Sequence, residues 1–215
     1  MEKSKKELDD IIKLLKKEYP EAHGTLDFET PFQIAVSVAL SAQATDARVN
    51  LVTPALFNVA PNAEEMNKLS VDEIREYIKS INYFNNKAKN LKEMSRQIVE
   101  DFGGNLPDNM EDLQKLAGIG RKSANIIMLE GFNNPQGVAV DTHAKRVSNR
   151  LGLSKESDPN KIEQDLLRQF DKKHYADLNH LFVWHGRELC TARNPKCSKC
   201  PLKKYCLYYK DENKG

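Results

Sequence analysis

A chain of 215 residues, 40% hydrophobic and 30% charged, has the balance of an ordinary globular protein with room for one large domain or two small ones. Its net charge of +2 is too small to announce a nucleic-acid binder, so only local clustering can argue for one. No apolar run approaches the roughly 18 residues of a membrane span. The charged start, MEKSKKELDDIIKLLKKEYPEAH, lacks a signal peptide's apolar core, and a soluble, cytoplasmic protein is expected.

Helical periodicity runs through the chain. Leu8, Ile11, Ile12, Leu15 and Tyr19 repeat at helical spacing. Thr30, Pro31 and Gln33 predict an N-cap, a first helical residue and the closing member of a capping box. Phe32, Ile34, Val36, Val38 and Leu40 alternate as in a strand, but the caps and the small Ala35 and Ala39 favour a helix buried on every side. Thr45 opens another helix, which Pro54 is expected to interrupt or kink. Ser70 to Glu73 form a second capping box. Leu91, Met94, Ile98 and Phe102 predict a long amphipathic helix ended by Gly103 and Gly104. Asp108 to Glu111 open a short helix, and Asp158 with Pro159 caps one carrying Ile162, Leu166, Leu167 and Phe170. Leu178, Leu181, Phe182 and Trp184 continue the pattern. No hairpin or βαβ series intervenes, so the fold class is all-α.

All four cysteines fall between Cys190 and Cys206, as C-x6-C-x2-C-x5-C with Cys197 and Cys200 between them. Such crowding argues for a metal site rather than a disulfide framework. Four thiolates can hold a tetrahedral zinc ion or a cubane iron–sulfur cluster. Zinc sites usually pair two close knuckles; these unequal gaps suit the corners of a cube better. Arg193 and Lys196 lie within the first gap. From Trp184 to Gly215 there are eight Lys/Arg against three Asp/Glu, which reads either as a phosphate-binding surface or as a solvated tail.

LAGIGRKSANII, from Leu116 to Ile127, places Gly118 and Gly120 between two helical stretches, as in a helix–hairpin–helix. Both glycines can adopt positive φ and admit a close backbone approach, and the amides of such a turn can bind a phosphate without reading sequence. Arg121 and Lys122 follow at once. A helix N-terminus disfavours an ammonium, and Arg121 adds to the effect, so the placement costs a little stability and helps amine chemistry. Further along, VAVDTHAKRV puts Asp141 at a helix start. Alone it is an N-cap; it could also face a lysine from another helix. Lys145, Arg146 and Arg150 follow it and could meet phosphates.

Taken together, LSAQATD at Leu40–Asp46, AGIGRKSAN at Ala117–Asn125, VDTHAKRV at Val140–Val147, HGRELC at His185–Cys190 and the cysteine spacing resemble the endonuclease III family of DNA base-excision glycosylases over essentially the whole chain. The resemblance implies two lobes with a DNA groove between them. Residues 24–135 would form a six-helix barrel with the helix–hairpin–helix, and 1–23 with 136–215 a helical domain bearing a [4Fe–4S] cluster on Cys190, Cys197, Cys200 and Cys206. It implies a bifunctional enzyme that removes damaged pyrimidines from double-stranded DNA and cleaves the abasic site by β-elimination. Lys122 would be the nucleophile and Asp141 the catalytic carboxylate. Gln43 and Tyr83 would probe the DNA, Gly118, Gly120 and Arg121 would hold a phosphate, and His143, Arg193 and Lys196 would add contacts. A monomer without membrane attachment, associated with the nucleoid, is expected. Ala117 stands where relatives often have proline, and Asn82-Tyr83 where many have Gly-Leu. An adenine-mismatch relative is disfavoured by Lys122, and a non-catalytic DNA-binding module with structural zinc leaves Lys122 and Asp141 unexplained.

Overall fold

The structure is a computed structural model that describes residues 3–212. The extreme ends of the expected cluster domain, with Lys214 of the basic tail, lie outside the described residues. Among the described residues there are α-helices and short 3-10 turns but no strand. In chain order the helices are α1 (Lys5–Glu18), α2 (Pro31–Ser41), α3 (Asp46–Val59), α4 (Ala63–Lys68), α5 (Val71–Ile78) and α6 (Phe84–Phe102). They continue as α7 (Met110–Leu113), α8 (Arg121–Glu130), α9 (Thr142–Leu151), α10 (Pro159–Gln169), α11 (Tyr175–Glu188) and α12 (Leu207–Glu212). The chain divides into two compact units, Thr25–Asn134 and the combination of Met1–Gly24 with Pro135–Gly215. No helix among the described residues is long and apolar enough to cross a membrane.

In the continuous unit α2 is the central element. Residues 32 to 38 and Leu40 are all buried, so the alternation that imitates a strand belongs to a helix covered on all sides. The small Ala35 and Ser37 let neighbours approach it. It packs on α3, α6 and α8, while α6 also packs on α4 and α5. Ile34, Leu40, Leu56, Ile74, Ile78, Leu91, Met94 and Ile98 fill the core between them.

Local capping differs from expectation in three places. Thr30 Oγ1 accepts from the Gln33 amide at 3.2 Å, but Gln33 Oε1 accepts from the Glu29 amide at 2.7 Å rather than closing a box on Thr30. Helix α3 runs through Pro54 uninterrupted. Proline lies on the exposed face there, where the carbonyl that loses its donor can reach water. The short α7 is capped by Asn109, whose side chain accepts from Asp112 N at 2.9 Å, rather than by Asp108.

In the discontinuous unit α1 packs on α11, and α9 packs on α10, α11 and α12. Ile11, Leu15, Val147, Ile162, Leu166, Leu178 and Phe182 form the core. The crossing of α9 and α11 is unusually close. Gly186 of α11 lies under His143 of α9, and a Cβ on Gly186 would stand 2.7 Å from the His143 Cβ. Alanine improves a helix interior by about 1 kcal/mol over glycine, whereas overpacking costs about 1–3 kcal/mol. The clash here involves a Cβ atom instead of a flexible tip, so packing wins. Gly186→Ala is expected to lower the guanidinium unfolding midpoint; a midpoint unchanged or raised would refute the close crossing.

Candidate active site and metal centre

The hairpin turn joins α7 to α8. Leu116 and Ile119 point into the core and pin it from below. Gly118 has φ +81°, and a Cβ there would sit 3.2 Å from Asn90 Nδ2 and 3.3 Å from Asn90 Cβ on α6. Both the dihedral and the close approach demand glycine. Gly120 does not share this feature: at φ −96° and ψ 179° it is extended backbone, with open space where a Cβ would point. Only one of the two glycines is therefore left-handed. Ala117 also acquires a reason. Its N–H donates to Gln97 Oε1 at 2.8 Å, and Gln97 Nε2 donates to Lys115 O at 3.2 Å, so α6 holds the turn through a donor that proline lacks.

Arg121 and Lys122 occupy the first two positions of α8 and are exposed. Gly120, the N-cap, offers no side-chain acceptor. In this unit α2, α3, α4, α5 and α7 all have a Thr, Ser or Asn side chain accepting from the helix start. The exceptions are α8 and α6. Helix α6 begins at Tyr83, which is left-handed at φ 59° and 62% exposed. Gln43, in the turn between α2 and α3, is likewise left-handed at φ 55° and exposed. The two are brought together, because Asn82 Nδ2 donates to Gln43 O at 2.9 Å.

Asp141 belongs to the other unit. The apolar approach of Val138, Ala139 and Val140 is buried and held by Asn179, which accepts from Ala139 N at 2.7 Å and donates to Gly137 O at 3.0 Å. Asp141 then caps α9, its Oδ1 accepting from Ala144 N at 2.7 Å. The next basic residues do not face outward as expected. Arg146 donates to Gly186 O and Cys190 O, both at 2.8 Å, and its Nη2 lies 3.2 Å from His143 Nδ1. Arg150 donates to Thr191 O at 2.8 Å and to Cys190 Sγ at 3.4 Å, and stacks on Tyr208. Lys145 Nζ donates to Ser157 O at 2.6 Å. Guanidinium groups meet the unpaired carbonyls at the end of α11 because those carbonyls have no helical donors. His143 is half-buried, with Nδ1 engaged by Arg146.

The four cysteines line one cavity with Val147, Arg150, Leu151 and His185. All four are free of disulfides. Burial pushes the Cys200 thiol up to about 11 and also raises Cys206, so displacing their protons needs a strongly bound cation. Among the described residues no three His, Cys, Asp or Glu side chains converge on a single ion. Four soft donors sharing one cavity suit a multi-iron cluster. Tyr19 and His185 complete the surroundings. Burial holds His185 down to about 4 and raises Tyr19, so the imidazole is neutral and the phenol protonated. Tyr19 Oη lies 3.1 Å from Nδ1 and Cys200 Sγ lies 3.6 Å from Nε2, so the ring bridges the phenol and a cysteine. Arg193 and Lys196 are exposed on the first gap of the motif, whose turn contains a left-handed Asn194 at φ 51°. Asn179 and Tyr19 carry no motif signal that reveals these roles, and His185 opens the HGRELC stretch without that motif showing its place beside the cysteines.

This fold and this site are those of a helix–hairpin–helix DNA repair protein. Residues 36–172 match the HhH-GPD superfamily base excision DNA repair proteins, and residues 190–206 the iron–sulfur binding domain of endonuclease III. Endonuclease III of Synechocystis sp. is 44% identical, covering 96% of this chain and 94% of the relative; that of Bacillus subtilis is 41% identical, covering 87% and 86%. A solved structure described as "Structure of a Trapped Endonuclease III-DNA Covalent Intermediate: Estranged-Adenine Complex" superposes with a TM-score of 0.90 at 33% identity, covering 98% of this chain and 99% of that one. The chain belongs to the endonuclease III family. It is a base excision repair DNA glycosylase with AP lyase activity, and its cofactor is a [4Fe–4S] cluster.

Arg150 braces the cysteine loop at the Cys190 sulfur and a backbone carbonyl together. Arg150→Met is expected to speed loss of iron to a chelator roughly tenfold, read as bleaching of the iron–sulfur absorbance. An unchanged rate would mean that the brace contributes nothing.

Proposed function

We propose that Lys122 is the nucleophile and Asp141 the catalytic carboxylate, acting on oxidised pyrimidines in double-stranded DNA. The observation that carries this reading is an exposed amine at the second position of a helix whose N-terminus lacks a side-chain cap. The N-terminal amides of α8 are available to a DNA phosphate, and Lys122 is held beside the sugar that the phosphate positions. Gly118, Gly120 and Arg121 form the phosphate-binding turn. Residues 24–135 act as the helix–hairpin–helix module, and 1–23 with 136–215 as the cluster module.

The damaged base first leaves the stack, because its glycosidic carbon is inaccessible within it. The Lys122 amine then forms a bond to C1′ as the glycosidic bond breaks, and the base departs with the electron pair. Asp141 stabilises the positive charge on the sugar and takes up a proton from the amine. Its cap bond through Oδ1 orients the carboxylate and leaves Oδ2 for this task. Ring opening gives a protonated imine, which acidifies the C2′ hydrogens. Loss of one C2′ proton expels the 3′ phosphate, and water releases the lysine. Gln43 and Tyr83 fill the space the extruded base leaves, and His143, Arg193 and Lys196 contact the backbone or the lesion. Cys190, Cys197, Cys200 and Cys206 hold the cluster, which when bound cross-links the loop and presents its basic residues as a rigid surface. The protein acts as a monomer on the nucleoid.

Borohydride trapping on duplex DNA with an oxidised pyrimidine is expected to yield a covalent protein–DNA adduct that Lys122→Ala abolishes. Asp141→Asn should slow base release about a hundredfold or more. An undiminished adduct in the lysine variant would remove Lys122 from the mechanism.

A further inference from the structure

Lys87 is the one lysine in α6 that points inward; it is only 7% exposed. Burial lowers its pKa, and no carboxylate bonds to it. Its Nζ donates to Leu40 O at 2.8 Å and to Ala42 O at 2.6 Å. These carbonyls belong to the C-terminal end of α2, where helical donors have run out. A buried ammonium at that end also complements the helix dipole.

The same residue reaches a second turn. Lys87 N donates to Tyr83 O at 3.1 Å, as does Asn86 N. One residue thus grips the turn of Tyr83 with its backbone and the turn of Gln43 with its side chain. Asn82 adds the third link, to Gln43 O. Gln43 and Tyr83 both hold left-handed dihedrals that are unfavourable for a non-glycine residue and persist only where the surroundings hold them. The contacts of Lys87 and Asn82 are among those that restrain these two turns. Between the turns lies an open depression lined by Gln43, Ala44, Thr45, Arg48, Ser80 and Asn82.

We infer that Lys87, with Asn82, is a positioning residue that locks Gln43 and Tyr83 into one rigid two-pronged probe of the DNA stack. This inference rests on the proposed DNA-probing role of Gln43 and Tyr83. It makes lesion extrusion from paired DNA, rather than the amine chemistry, the step that depends on Lys87.

The test compares two substrates with the cluster-loaded enzyme: excision of an oxidised pyrimidine from duplex DNA, and cleavage at a preformed abasic site in single-stranded DNA. Lys87→Met keeps the apolar stem and removes the ammonium. Its ratio of duplex excision to single-strand cleavage is expected to fall roughly tenfold to a hundredfold. A 2-aminopurine placed opposite the lesion should show less unstacking on binding. A purely structural role would lower both activities together and leave the ratio constant, and that result would overturn the inference. Should Lys87→Met fail to fold, Asn82→Ala decides, because it removes only an exposed contact; it is expected to lower the ratio in the same direction, and an unchanged ratio would overturn the inference. Gln43→Ala and Tyr83→Ala separate the two levels. If they lower the ratio while Lys87→Met and Asn82→Ala do not, the positioning role fails alone. If they leave the ratio unchanged, the probing role itself fails and takes the positioning role with it.

Discussion

Each helix leaves its first four N–H and last four C=O groups without partners inside the helix. In a protein built of helices, where those groups go governs much of the rest. Side chains at Ser4, Thr30, Thr45, Asn62, Ser70, Asn109, Asp141 and Asp158 settle most helix starts locally. The ends that are not settled locally are the informative ones. The C-terminus of the buried α2 takes its donors from Lys87, forty-seven residues from Leu40 along the chain. The end of α11 takes them from Arg146 on α9. The starts of α6 and α8 take none from a capping side chain. A helix start that no capping side chain covers can meet a phosphate, and each such start in the continuous unit sits beside a residue with a proposed DNA role.

Helix α9 shows how the same accounting joins two pieces of chemistry within one unit. Its first residue outside the helix is Asp141, its second turn carries Arg146 and its last carries Arg150. Both guanidinium groups are committed to the segment that begins at Cys190. The orientation of the carboxylate and the shape of the cysteine loop therefore share one rigid element, locked on α11 by the contact of His143 with Gly186. A solvated arginine on the surface would have contributed little; these two satisfy carbonyls that would otherwise be orphaned.

The elements themselves were largely legible. Thr30-Pro31, Ser70 to Glu73 and Asp158-Pro159 marked helix starts because capping is a local interaction within four residues. The alternating stretch around Val36 was readable as a helix only through its caps, since a helix buried on all faces has no polar face to set a period. Pro54 misled because a proline on the solvent side lets water replace its missing donor. The proposed site was legible where chemistry demands a residue type at a spacing: the four cysteines, the Gly118–Gly120 turn, Lys122 and Asp141 in order. It was illegible where a side chain turns inward. Arg146 and Arg150 read as phosphate contacts.

An all-α chain, a run of four cysteines fit for a metal, a hairpin with an amine behind it and the family to which these belong were readable from local pattern alone. Tertiary structure decided which cations face solvent and which satisfy backbone carbonyls, which of the two hairpin glycines is left-handed, and why Ala117 carries an N–H. The reason is physical. Helix periodicity, capping and ligand spacing are set by neighbours in the chain, but the partner of a carbonyl at a helix end comes from whichever element folds against it.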